Sequence, residues 1–66
     1  MDLGDYIKAR RLALNMSREE LAEKIGRQAE TVEHYELGAK ITKYRDIETI
    51  MDALDSEIIF RPKEKK

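Results

Sequence analysis

The chain has 66 residues, 13 basic and 14 acidic side chains, a net charge of −1 and no cysteine. A single domain near the lower limit for folding on one core fits that length, since such a chain buries only ~60% of the surface it exposes when unfolded. No disulfide framework or thiolate cluster supplements that core, and the even mixture of charges gives no global attraction to nucleic acid, so any such binding must come from a local basic patch.

A dimer partner is the remaining common source of extra buried surface. No apolar run approaches the roughly 20 residues of a membrane span, and the opening MDLGDYIKARR has no secretion-type apolar stretch. The sequence reads as soluble and cytoplasmic, with no membrane partner.

In chain order, the stretch Tyr6, Ile7, Arg10, Arg11 and Leu14 puts Tyr6/Ile7 and Arg10/Leu14 at helical spacing, and Asn15 is expected to be a left-handed stop. In MSREELAEKIG, Ser17 is a good N-cap and Glu20 completes a capping box. Leu21, Ala22 and Ile25 form that helix's apolar stripe, and Gly26 supplies the positive φ that ends it. A third helix follows Arg27 and Gln28, carrying Ala29, Val32, Tyr35 and Glu36 until Gly38 stops it. Helix, tight glycine turn and helix make a helix-turn-helix, with Ala22 small at the crossing and Val32 closing it from the other side.

After a loop from Gly38 to Thr42, Thr42 is expected to cap a fourth helix, where Ile47, Ile50, Met51 and Leu54 repeat at i, i+3, i+4 and i+7. SEIIFRP then changes period, and residues 57–61 are expected to form a short β-strand with Ile58 and Phe60 on one face. A lone strand cannot satisfy its own backbone, so Ile58, Ile59 and Phe60 are assigned to a homodimer interface, paired antiparallel across a two-fold axis. An irregular tail extending the core is the other reading of this segment. The expected class is all-α, with a helix-turn-helix domain over residues 1–56, then the strand and a charged tail to residue 66.

IKARRLALNMSREELAEKIG, VEHYELG and IETIMDALD together resemble the Cro/C1-type (XRE-like) helix-turn-helix family of bacterial and phage regulators, over about residues 4 to 54. Leu21-Ala22, Ile25-Gly26, Val32 and Glu36-x-Gly38 sit at the family's spacing, and ALDSEIIFRPK is similar to the tails of short antitoxin-like members. The resemblance implies a lambda-repressor-like bundle of four helices, with a short fifth allowed. Two positions depart from the family pattern: Arg27 stands where a small apolar residue is usual, and Arg18 where glutamine is common.

By the same resemblance, Glu36 is the partner of Arg11 in a structural ion pair. Gln28, Ala29, Glu30 and His34 are the base-contact candidates of the third helix, since the N-terminal residues of a recognition helix reach base edges. A carboxylate at Glu30 can accept a hydrogen bond from cytosine N4, although the helix dipole alone would also favour an acid there. Glu33 reads as a solvated flank. Arg18, Lys40, Lys43, Tyr44 and Arg45 are the phosphate-contact candidates, with Arg10 and Arg27 weaker ones. With one histidine and no cysteine, no metal centre is expected, and no cofactor.

The leading functional expectation is a sequence-specific DNA-binding regulator, a repressor or autoregulator, acting as a homodimer on a pseudo-palindromic operator. No separate effector-binding domain is expected in 66 residues. The alternative is a protein-interaction module on the same fold, partnering a toxin or phage protein with little DNA binding. An enzyme is not expected: there is no glycine-rich phosphate loop, metal set or nucleophile–base pair, and hence no small-molecule substrate.

Overall fold

Asp2 accepts a hydrogen bond from the Asp5 backbone N–H and so starts the first helix, α1, which spans Leu3–Ala13. It is followed by α2 (Arg18–Ile25), α3 (Ala29–Glu36) and α4 (Tyr44–Ala53) in a computed structural model that describes residues 2–59 and residue 62. Ser17 and Glu20 form the full capping box expected of α2: the Ser17 side chain takes the Glu20 N–H, and Glu20 takes the Ser17 N–H.

All four helices end by one device. A residue with positive φ follows the helix (Asn15, Gly26, Gly38, Asp55), and the next N–H reaches back five residues to a helical carbonyl. The four closures are Met16 to Arg11, Arg27 to Ala22, Ala39 to His34 and Ser56 to Met51, at 2.8–3.0 Å. This is the Schellman arrangement, which satisfies carbonyls the helix leaves unpaired. The stops at Asn15, Gly26 and Gly38 were legible; Asp55, with φ 53°, takes the left-handed position without being glycine or asparagine.

Every helix contributes to one core. Ile7 comes from α1, Leu21 and Ala22 from α2, Val32 from α3, and Ile50 and Met51 from α4, with Leu54 just beyond it. The α4 stripe is therefore the expected one, although Ile47 is only partly buried. α3 packs against both α1 and α2, while α4 packs against α2. Gly4 makes the α1 contact possible: a Cβ there would lie 2.5 Å from the Tyr35 carbonyl oxygen and 2.9 Å from that of Glu36.

One local expectation is corrected. The N-cap of α4 is Lys43, not Thr42, and no side chain caps that helix. The start is set by the apolar register of the helix, with the Asp46 and Ile47 N–H groups both bonding the Lys43 carbonyl, so the Thr42 hydroxyl lies one residue too early.

The strand expected over residues 57–61 is not shown. Glu57, Ile58 and Ile59 belong to no regular element, while Phe60 and Arg61 lie outside the described residues. Without a paired backbone a strand has nothing to bond. Ile58 instead packs on the chain's own core, leaving Ile59 68% exposed. Among the described residues there are four helices and no fifth.

Candidate nucleic-acid interface

The helix-turn-helix is α2, the turn at Gly26 and α3. Gly26 sits at φ 73°, ψ 30°, where its N–H reaches the Ala22 and Glu23 carbonyls and lets the chain reverse within two residues. Val32 and Glu36 then face inward, buried, while Glu30, Glu33 and His34 lie exposed on the opposite side of α3. Glu30 and His34 are four residues apart and so share a face. Gln28 is the N-cap of α3, exposed, with no hydrogen bond from its side chain to the helix.

Three of the four residues expected at base edges are therefore on the accessible side of α3. Ala29 is the exception, because it is partly buried against the core. The residues expected at phosphates group differently. Lys40, Lys43, Tyr44 and Arg45 are all exposed, in the loop after α3 and at the start of α4. Arg18 stands apart from them on α2. Its Nε donates to Glu36 Oε1 at 3.2 Å, and its side chain remains 39% exposed.

Glu36 is the electrostatic centre of the domain. Arg11 Nε donates to its Oε2 at 2.6 Å and Arg11 Nη2 to its Oε1 at 3.3 Å, a two-pronged ion pair between α1 and α3. Arg11 also donates to the Met16 carbonyl, which locks the end of α1 to the segment entering α2. Burial pushes the Glu36 carboxyl up, but the hydrogen bonds and charges of Arg11 and Arg18 outweigh it and hold the group below its ordinary value.

Two further arginines have structural partners that the sequence did not disclose. Arg10 Nε donates to the Leu54 carbonyl at 2.9 Å, closing the end of α4 onto α1. Arg27 Nη2 lies 3.1 Å from Asp46 Oδ1, joining the turn of the motif to the first turn of α4. The contact gives a long cation an acceptor where a small apolar residue is usual. Both side chains are partly exposed, so the pair contributes only ~0–1 kcal/mol and acts more on orientation than on stability. No local spacing signals it, since the partners are 19 residues apart.

No helix among the described residues is long and apolar enough to cross a membrane. No curated protein and no solved structure matches the chain. The model of a family described as a helix-turn-helix domain matches residues 2–57, and the chain belongs to that family of XRE/Cro-like helix-turn-helix domains.

Proposed function

We propose that the protein is a sequence-specific DNA-binding regulator that occupies a pseudo-palindromic operator as a homodimer and represses by occupancy. The observation that carries this reading is the division of α3 into two faces. Its inner face is fixed by Val32 and the Glu36 ion pairs, and its outer face offers Gln28, Glu30 and His34 to a groove. Phosphate attraction comes from Lys40, Lys43 and Arg45, which compensates for the acids of α3, and Tyr44 adds a neutral hydroxyl donor. Glu30, at the second position of α3, is read as the acceptor for cytosine N4.

Selection from a pool of random-sequence duplexes at low salt tests this directly. The regulator reading expects one enriched motif with two-fold symmetry and half-sites ~34 Å apart. No enriched motif, together with negligible affinity for random duplexes at low salt, would leave the protein-interaction module as the surviving reading. Lys43→Ala and Arg45→Ala are each expected to weaken binding to all sequences alike and to reduce the slope of log affinity against log salt by about 0.9. An unchanged slope removes the residue from the phosphate surface.

The homodimer is assigned to the segment around Ile59. Ile58 is packed on its own core, so a charge there would damage the fold as well as any interface. Ile59 is exposed and makes the cleaner probe. Ile59→Asp is expected to shift the protein towards monomer in sedimentation equilibrium without lowering the helical signal. A persistent dimer places the interface elsewhere.

A further inference from the structure

We propose that Glu36 is a positioning residue for DNA binding: by holding Arg18 through its Nε, it aims the outer edge of that guanidinium at a backbone phosphate beside the start of α2. The proposal rests on the DNA-binding reading above and assigns a second task to a carboxylate that otherwise looks purely structural.

The cluster contains two guanidinium groups and one carboxylate, so it carries a net charge of +1. Arg11 and Glu36 are both buried, with side chains 8% and 1% exposed, and they neutralise each other in the two-pronged pair. The surplus positive charge therefore resides on Arg18, the one member that reaches solvent. A guanidinium is a rigid planar fork, so fixing the Nε edge also fixes the direction of the terminal Nη groups. No other hydrogen bond from Arg18 to the described residues accompanies the one to Glu36, whereas Arg11 has a third acceptor in the Met16 carbonyl. An arginine held in advance has already lost much of the rotamer freedom that a phosphate contact would otherwise cost it.

Lysine cannot substitute in this role. Its ammonium is a point charge without a second edge, so a lysine drawn to Glu36 has nothing left to direct outward. The arrangement thus depends on arginine at this position and on an acid in α3, two residues 18 apart.

The test compares the unmodified chain with Arg18→Gln, Arg18→Lys and the double variant Arg11→Met/Glu36→Leu, using random-sequence duplex DNA across a salt series. Arg18→Gln and Arg18→Lys are both expected to lose about tenfold in affinity at low salt, equivalent to one charge-assisted hydrogen bond. Both are also expected to lose about 0.9 of the salt slope. A folded Arg11→Met/Glu36→Leu double variant, which removes the acceptor of Arg18 without changing the net charge, should lose the same slope, a change that a purely structural role would not produce. If that variant does not fold, Arg18→Lys decides.

Arg18→Lys matching the unmodified chain in affinity and slope would mean that charge alone matters, which overturns the positioning role and leaves DNA binding intact. A folded Arg11→Met/Glu36→Leu double variant with an unchanged slope overturns it equally. If the unmodified chain binds no duplex at low salt, the DNA-binding reading fails and this role fails with it.

Discussion

Glu36→Ala is expected to cost about 3–5 kcal/mol, because it strands the buried Arg11 guanidinium with only the Met16 carbonyl as a protein acceptor. A chain of this length has roughly 3–10 kcal/mol of stability in all, so the variant should lose between about a third of it and the whole of it. Arg11→Ala should cost less, since the Glu36 carboxylate it leaves behind still has Arg18 beside it. That ordering follows from the asymmetry of the cluster. Replacing both members by apolar residues, Arg11→Met with Glu36→Leu, should recover much of the loss, because neither charge is then left buried without its counterion. Urea titrations give the three values, and a loss below about 1 kcal/mol in Glu36→Ala would show that the pair is not what joins α1 to α3.

The same carboxylate dictates how stability varies with acid. Its pKa in the folded chain lies below its ordinary value of 4.5, so the folded state holds its ionised form more strongly than the unfolded state does. The stabilisation is fully present above that ordinary value and is lost as pH falls through the lower, folded one. Acid titration of the unmodified chain should therefore show a falling limb in that window, and Glu36→Gln should flatten it.

What the sequence disclosed and what it hid divide by distance along the chain. The capping box of Ser17 and Glu20, the left-handed stops and the apolar stripe of α4 rest on contacts within about five residues, which helix geometry fixes in advance. The outer face of α3 was readable for the same reason, because placing Val32 inside determines where Glu30 and His34 point. The Arg11–Glu36 pair spans 25 residues and was reached only through family resemblance. Arg27 with Asp46, Arg10 with the Leu54 carbonyl and Arg18 with Glu36 gave no signal at all. Each joins two parts of the fold whose relative placement must be known first. Thr42 failed as a cap because a good capping residue fixes a helix start only when nothing downstream sets the register more strongly.

Gly4 belongs to the same hidden class, and Gly4→Ala is expected to destabilise the protein by about 1–3 kcal/mol, the usual cost of overfilling a packed contact. Propensity argues the other way, since alanine is better than glycine inside a helix by about 1 kcal/mol. Geometry decides. The new methyl would lie 2.5 Å from the Tyr35 carbonyl oxygen, a backbone atom that cannot rotate aside as a side chain would. Either α1 withdraws or the end of α3 moves, and both disturb the place where Arg11 meets Glu36. The substitution should therefore lower thermal stability and also weaken any DNA binding that depends on the tilt of α3, although residue 4 is buried away from its outer face. Ala9 is exposed on the same helix, so Ala9→Gly supplies the control: it should cost about 1 kcal/mol by propensity alone and leave α3 undisturbed. A Gly4→Ala variant as stable as the unmodified chain would mean that α1 and α3 can separate by several tenths of an ångström without loss, and that the ion pairs alone hold them together.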